Sequence, residues 1–431
     1  MRSLVSKSLF LLGLLAASCA TPAGEQTDGA PDTVAPAAAP DRAGPKKLAA
    51  GPGGSPAAAA SPTGKFADAE RAFEKARKDL LAGYYRDDVG EEELYRAALQ
   101  GMLEHLDPAM KGWHKLLGPA ELAELNSNLQ GEVVGIGAEI KFDPESGYTD
   151  VLGLLPGSAA ERAGVLPGDK IVTVDGKLFK GSTQADVIGK IRGKAGEPVV
   201  LSVLRGDKLV EIRVTRELLT LPPAQHFMAS RRVGYLLVRG FSAKTSPAVK
   251  AALSDLSQKG AQALVLDLRD NQGGSFDEAI TTAGFFLPKG TPVVVTRKRG
   301  GKVETATAQG EPILGNVPMK VLVNEKTSSG AELFAGALQE GRKAELIGER
   351  TFGKWSVQMI DELGNGYAIK YTVGLFETPG GRSFEGEGIL PDIEVDMDDK
   401  QTSRILNETD PAKRLAADGQ LRTAIGLLEG R

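Results

Sequence analysis

The feature that most limits the fold of this 431-residue chain is a series of short apolar runs, each followed by a helical pattern, in its second half. The clearest runs are residues 233–238, 263–268 and 320–323. Strands that alternate with helices favour a largely parallel sheet that is covered on both faces. We therefore predict an α/β core over residues 218–397, with a mainly parallel sheet.

The rest of the chain shows other periodicities. Residues 65–130 carry apolar side chains at helical spacing and predict a helical region. Residues 131–217 consist of short β segments separated by Gly and Pro, which predicts a β-sandwich-like domain. Residues 398–431 predict a helical segment of one or two surface helices. The chain is therefore expected to be a multidomain α/β protein.

The N-terminus is typical of an exported protein. Residues 1–18 combine a positive start with an apolar run that is too short to span a membrane, as in a signal peptide. Cys19 follows at once, in a segment that resembles the lipobox of bacterial lipoproteins; the alternative is ordinary cleavage after Ala20. Residues 19–64 are mostly Ala, Pro and Gly and predict a disordered tether. We expect a periplasmic protein of the bacterial cell envelope, attached to the membrane only by a lipid on Cys19.

Composition excludes several classes of function. One Cys and three His leave no basis for an internal disulfide, a thiolate zinc site or a cysteine protease. His105 and His114 have no further ligand at metal-site spacing, so no metal is predicted. A net charge of −4 without a clustered basic face argues against nucleic-acid binding. Only His226 lies near the core, which leaves a Ser-His-Asp triad unsupported. The chain has neither a GxSxG elbow nor a Ser-x-x-Lys pair, so hydrolase-elbow and penicillin-binding chemistries are unsupported as well. The remaining type of serine mechanism is one in which a lysine is the base.

Two polar clusters in the α/β core are candidates for the chemistry. The first, residues 267–274 (DLRDNQGG), follows a predicted strand, where α/β proteins usually place their sites. The second combines residues 324–332 (NEKTSSGAE) with residues 351–358 (TFGKWSVQ). These clusters contain a serine, a lysine and paired glycines that could expose backbone N–H groups.

The same residues also have simpler interpretations. Ser329 and Glu332 fit a helix capping box, and Lys354 alone would be an ordinary surface lysine. A lysine becomes a base only if burial lowers its pKa from about 10.4 toward 7–8, and Phe352 and Trp355 are candidate walls for such a pocket. Spacing alone does not choose between these interpretations.

Taken together, the motifs resemble the carboxyl-terminal processing (tail-specific) family of serine proteases, which join a PDZ domain to an α/β catalytic core. Further matching motifs, in the family's order, are residues 106–108 (LDP), 191–194 (IRGK) and 386–392 (GEGILPD). The resemblance implies that Ser329 is the nucleophile, Lys354 the general base and Gln358 the residue that orients the lysine. It also implies an oxyanion hole made of the backbone N–H of Gly330 and that of Gly273 or Gly274. Two departures from the family pattern are Gly330, where Ala is usual, and Trp355, where Gly is usual.

The β-rich region resembles a PDZ domain. The segment formed by Gly135, Ile136, Gly137 and Ala138 matches the loop that binds a C-terminal carboxylate, although a GxG sequence is also a simple tight turn. In some members of the family an arginine that matches Arg192 takes part in activation, which gives Arg192 an implied regulatory role.

The expected function is a serine endopeptidase that cleaves proteins whose free, apolar C-terminal tail is captured by the PDZ domain. No cofactor is implied; an activating partner lipoprotein and a homo-oligomer are further expectations. Two alternatives remain open at this stage: a catalytically silent PDZ scaffold that binds C-terminal tails in the cell envelope, and a structural envelope protein.

Overall fold

The computed structural model describes residues 10–11, 68–106, 113–219, 222–408 and 410–430. Cys19, most of the expected signal peptide and the whole expected tether lie outside the described residues. The chain divides into two compact units, residues 16–116 and residues 117–431 together with 1–15. Each unit is considered by itself below.

The elements are numbered in chain order. The helices are α1 (Ala69–Gly83), α2 (Glu91–Leu106), α3 (Pro119–Leu129), α4 (Ala159–Arg162), α5 (Gln184–Ile191), α6 (Thr245–Gln258), α7 (Phe276–Ala283), α8 (Gly330–Arg342), α9 (Asp399–Asn407), α10 (Pro411–Ala417) and α11 (Gly419–Glu429). The strands are β1 (Phe10–Leu11), β2 (Lys115–Leu117), β3 (Val133–Gly135), β4 (Ala138–Phe142), β5 (Thr149–Leu154), β6 (Lys170–Val174), β7 (Lys177–Leu178), β8 (Pro198–Arg205), β9 (Lys208–Thr215), β10 (Glu217–Leu219), β11 (Ala224–Met228), β12 (Val233–Val238), β13 (Ala263–Asp267), β14 (Pro292–Lys298), β15 (Val303–Thr307), β16 (Met319–Val323), β17 (Glu345–Gly348), β18 (Ser356–Gly364), β19 (Tyr367–Glu377) and β20 (Ile393–Glu394).

The smaller unit contains the helical pair α1 and α2. The guanidinium of Arg77 on α1 pairs with the carboxylates of Glu74 and of Glu91 at the start of α2. Both helices expose most of their surface, and Leu103 is the residue that α2 buries. The third helix of the predicted helical region, α3, lies in the larger unit.

Residues 138–215 form an antiparallel sheet with the strand order β4-β5-β6-β8-β9. One face of this sheet, together with α4 and α5, encloses a separate apolar core that includes Val174, Val187 and Leu201. Strand β4 lies at the edge of the sheet, so one side of its backbone is available to pair with an extended peptide.

The core contains the expected parallel sheet, in the order β11-β12-β13-β16-β17-β20. The pairs from β12 to β20 are parallel, and β11 is antiparallel at one edge. Helices α6 and α8 pack in the core on one face, and α11 packs on the other, through residues such as Leu421 and Ala424. The covered parallel sheet follows the sequence prediction.

Two features differ from the sequence prediction. The core carries a second, antiparallel sheet in the order β18-β19-β14-β15, with β1 against the edge of β18. The C-terminal segment forms three helices rather than one or two, and one face of α11 is buried because it covers the far face of the parallel sheet. Helical periodicity marks an apolar face but does not say which sheet that face will cover.

Candidate active site

Ser329 occupies the N-cap position of α8 in a backbone conformation that is rare for serine. Its φ is 61° and its ψ is −119°, which costs of order 1–3 kcal/mol for a residue other than glycine. The side chain is buried, and its Oγ makes no hydrogen bond within the described residues. In a capping serine that oxygen accepts a backbone N–H, so the hydroxyl of Ser329 does not cap α8.

Glu332 holds the serine segment and the lysine segment together. Its buried carboxylate accepts the backbone N–H of Ser329 (2.8 Å) and that of Lys354 (2.8 Å), both at Oε2. Oε1 accepts the hydroxyl of Thr351 (2.6 Å) and the N–H of Gly353 (2.7 Å). Burial raises the pKa of Glu332 above its ordinary value, against the opposing effect of these four hydrogen bonds. The capping-box interpretation is therefore half correct, because only the Glu332 half forms.

Lys354 is buried just ahead of β18, with 7% of its surface exposed. Burial, together with repulsion from Lys370, lowers its pKa to about 7, against the opposing effect of Glu385 and Glu332. The side chain is therefore substantially neutral at physiological pH and can accept a proton. Ser329 Oγ has no hydrogen bond to it in this conformation; catalytic contacts are often long without substrate.

Gln358 is fully buried on β18, and its Oε1 lies 3.4 Å from Lys354 Nζ. Lys354 precedes the strand, and the register of β18 shifts between Val357 and Gln358, so the two side chains converge although they lie four positions apart. Trp355 is buried and packs against Phe376 at 4.7 Å between ring centroids, whereas Phe352 is 44% exposed. Of the two candidate walls, only Trp355 is enclosed in the core.

The first of the paired glycines after β13, Gly273, lies directly against Ser329. A Cβ placed on Gly273 would be 2.8 Å from the Gly330 nitrogen and 2.9 Å from the Ser329 Cβ, so only glycine fits there. The Gly273 N–H donates to Asn271 Oδ1 at 2.9 Å. The Gly274 N–H makes no hydrogen bond within the described residues, and the Gly330 N–H belongs to the first helical turn, which lacks intrahelical acceptors.

An apolar cavity of about 170 Å³ opens beside these glycines. Its apolar lining comes from α3, the strand pair β3 and β10, and the loop after β12, at Leu125, Leu129, Val133, Leu219 and Phe241. Gly273 and Gly274 form part of its wall. An aliphatic side chain next to a bond held at Ser329 would find an apolar environment here.

The predicted carboxylate-binding loop lies between β3 and β4. Gly135 pairs with Glu217 of β10, Ala138 begins the edge strand β4, and Ile136 is 2% exposed. Gly137 has a φ of 79°, and a Cβ on it would lie 2.3 Å from the Ser158 Cβ. The glycine is therefore required for the turn itself, whether or not the loop also binds a carboxylate.

Arg192 follows the last residue of α5 and pairs with Glu124 on α3. This ion pair joins the β-rich region to the helix that also lines the apolar cavity. Among the described residues, no cluster of His, Cys, Asp and Glu is arranged to hold a metal ion. In the same ranges no helix has the length and apolar character needed to cross a bilayer.

Sequence reasoning missed two residues that shape the site. Glu332 was visible only as the third position of a capping box. Asn271 lies inside the DLRDNQGG cluster, but nothing in the sequence shows that its side chain accepts the N–H of Gly273. The N–H of Gly274 is left without a hydrogen bond within the described residues.

Comparisons with known proteins match both folded regions. A profile of peptidase family S41 matches residues 232–395, and a PDZ-domain profile matches residues 151–205. A carboxyl-terminal-processing protease of Synechocystis sp. is 36% identical over 345 residues, which are 79% of this chain and 78% of that protein. A probable CtpA-like serine protease of Staphylococcus aureus is 33% identical over 82% of this chain and 71% of its own.

Solved structures give the same result. The photosystem II D1 C-terminal processing protease superposes with a TM-score of 0.52 at 29% sequence identity, over 81% of this chain and 99% of that one. A putative S41 protease of Bacteroides fragilis gives the same TM-score at 18% identity, over 77% of this chain and 90% of its own, and therefore shows likeness of fold alone.

Proposed function

Because this chain belongs to the carboxyl-terminal-processing serine proteases of peptidase family S41, we propose that Ser329, Lys354 and Gln358 form its catalytic site. The predicted family, the multidomain α/β fold with a PDZ domain and the serine-protease activity are thereby confirmed. A catalytically silent scaffold is not favoured, since the similar proteins are named as proteases.

In the proposed mechanism the PDZ domain binds the free apolar C-terminus of a protein. The carboxylate meets the N–H groups of the loop at residues 135–138, and the tail pairs with the open edge of β4. A bond upstream of the tail then reaches Ser329. The cavity lined by Leu129 and Phe241 accepts an apolar side chain beside that bond.

The chemical steps are those of acyl transfer. Neutral Lys354 takes the proton of Ser329 Oγ as this oxygen attacks the carbonyl carbon, and the resulting ammonium protonates the leaving amine. The Oε1 of Gln358 orients the lysine nitrogen. Water, deprotonated by the same lysine, hydrolyses the acyl-enzyme and restores the serine.

The oxyanion formed in both steps is assigned to the N–H groups of Gly330 and Gly274. Gly273 is left out because its N–H is already bonded to Asn271. A single missing donor in such a hole typically costs 10²–10³ in kcat, so this assignment has a large consequence.

The observation that carries the proposal is the shared carboxylate of Glu332, which fixes Ser329 and Lys354 relative to each other, combined with a lysine pKa of about 7. The test compares wild type with Ser329→Ala and Lys354→Ala on a loosely folded protein with an apolar C-terminus. Cleavage by wild type alone supports the site. Equal cleavage by all three proteins would refute it, and an amidated C-terminus provides the control for tail capture.

We further propose that the protein is attached to the membrane of the bacterial envelope, facing the periplasm, through a lipid on Cys19. Mass spectrometry of the mature N-terminus distinguishes a lipidated Cys19 from ordinary cleavage after Ala20. We also propose that a partner lipoprotein activates the enzyme and that Arg192 takes part in this activation. A further proposal is that the enzyme forms a homo-oligomer. Cleavage rates with and without candidate lipoproteins, and the mass in solution, test them.

A further inference from the structure

A buried ionic network joins the C-terminal helices to the end of strand β13. The guanidinium of Arg269, 1% exposed, lies between two carboxylates. It donates to Asp267 at 2.9 Å (Nε to Oδ1) and 2.5 Å (Nη2 to Oδ2), and to Asp418 at 3.1 Å (Nη1 to Oδ1) and 2.6 Å (Nη2 to Oδ2). Each carboxylate therefore makes a bidentate contact with the same cation, a geometry that fixes orientation as well as charge.

Asp418 belongs to the far end of the chain. It is the N-cap of α11, where Oδ1 also accepts the N–H of Leu421 at 2.9 Å, and it has no exposed surface. Gln420 adds a third acceptor for Arg269, at 2.9 Å, and its own amide nitrogen donates to the Val395 carbonyl at 2.6 Å. The start of α11 is thus shaped around the guanidinium.

The residues after Arg269 lead directly to the oxyanion loop. Asp270 has a φ of 58°, and its carboxylate and N–H bond the side chain of Asn324 at 2.7 and 3.0 Å. Asn271 then accepts the Gly273 N–H and, through its carbonyl, the Ser328 N–H at 3.0 Å. Three residues separate Arg269 from Gly273, and side-chain hydrogen bonds hold the first two of them, Asp270 and Asn271.

We propose that Asp418 is a positioning residue for the oxyanion hole, acting through Arg269 on the loop that presents the Gly274 N–H. The inference rests on the proposed function, because it assumes that Gly274 is a donor of that hole. The C-terminal segment is then part of the catalytic apparatus although none of its residues touches substrate. Loss of the Asp418 charge leaves the buried cation with one carboxylate, Asp267, and the guanidinium must shift or draw in water.

The test compares Asp418→Asn with Asp410→Asn in the full chain. Asp410 is also a helix N-cap, at α10, and accepts the N–H of Ala412 at 2.9 Å, but it is exposed and does not touch Arg269. Both changes remove a capping charge, and only one removes a partner of the guanidinium. We expect Asp418→Asn to lower kcat at least 10-fold. KM and the Kd for a tail peptide should stay within two-fold of wild type, and the pH midpoint of activity should stay within 0.3 pH units.

Labelling of Ser329 by a fluorophosphonate reports the oxyanion hole independently of the PDZ domain, and it should slow in parallel with kcat. Asp410→Asn should match wild type in every measurement. The inference is overturned if Asp418→Asn, measured well below its melting temperature, keeps kcat and labelling within two-fold of Asp410→Asn.

If Asp418→Asn does not fold, Gln420→Met tests the inference instead. It removes the Gln420 acceptor of the Arg269 guanidinium and leaves the charge balance unchanged. A several-fold loss of kcat at constant KM supports the inference, and full activity refutes it. Ser329→Ala separates the two levels: if wild type cleaves and Ser329→Ala does not, a negative result for Asp418 refutes the positioning role alone. Equal cleavage by wild type and Ser329→Ala would refute the proposed function itself.

Discussion

Asp169 in the PDZ region and the pair Glu332 and Lys354 in the protease core are ionisable groups buried in opposite ways. In the PDZ region, Asp169 is buried but accepts two hydrogen bonds from Arg205 at 2.7 Å, and these hold its pKa below the ordinary value. In the core, burial raises the pKa of Glu332 and lowers that of Lys354. The first arrangement stabilises a charge, whereas the second brings groups toward neutrality.

This difference separates a structural ion pair from a site suited to proton transfer. A satisfied charge such as Asp169 contributes to stability and needs no proton exchange. A lysine with a pKa of about 7 is poorly stabilised as a cation, and that is the property that a general base requires. The predictions below test whether stability and activity really divide between the two regions in this way.

The largest effect is expected for Lys354→Met. Without the base, kcat should fall by about 10³-fold, within the range for loss of general-base catalysis. The melting temperature should stay the same or rise, because the change removes an amine whose charged form is disfavoured by burial. Steady-state kinetics and calorimetry measure both quantities, and a large loss of stability would contradict the comparison.

Gln358→Ala should have a smaller effect, about a 10-fold loss of kcat with KM unchanged. The change removes the acceptor 3.4 Å from Lys354 Nζ but leaves the base in place. Gln358→Glu keeps an acceptor there and adds a negative charge, which raises the lysine pKa and moves activity to higher pH. Equal pH profiles for these two variants would argue against contact with the lysine.

Lys370→Met should lower kcat by a few-fold at pH 7 and by more at lower pH. Activity of the wild type should rise through pH of about 7 as Lys354 loses its proton. Lys370 lowers that pKa by repulsion, so its removal should move the midpoint to higher pH. Lys370→Arg keeps the positive charge and should keep the wild-type midpoint.

Asp169→Asn should leave kcat unchanged and lower the free energy of unfolding by about 1–2 kcal/mol, as expected for a charged hydrogen bond to a partly exposed arginine. Because the folded pKa is depressed, this contribution is present above the unfolded Asp pKa of about 3.9 and is lost as pH falls through the folded value. Urea unfolding at pH 7 and pH 3 measures it. A fall in kcat at full stability would show that the regions are coupled.

The sequence was sufficient to predict the family and the covered parallel sheet, and it singled out the two clusters that the fold brings together through Glu332. Short motifs preserve the local chemistry of Ser329 and Lys354, and period and turn residues identify strands and helices. The sequence could not choose between Gly273 and Gly274. That choice depends on where one asparagine side chain points, which is a property of the folded loop.

Long-range arrangement was the other limit. The contact between Arg269 and Asp418 spans 149 positions, and neither residue stands out in its own segment. The second sheet was missed for a similar reason. The hairpin of β18 and β19 pairs, through β19, with β14, which lies more than 50 residues earlier in the chain. No local sequence pattern predicts such a strand pairing.

The shared carboxylate of Glu332 has a consequence for inhibition and control. Separating the lysine segment from the serine segment would remove three of the four hydrogen bonds of the buried Glu332 carboxylate, so we expect the two segments to move as one rigid unit. A regulator would then act on access to the serine or on the glycine loop rather than on the serine–lysine spacing. A covalent inhibitor that reaches both segments can therefore be designed against one fixed spacing.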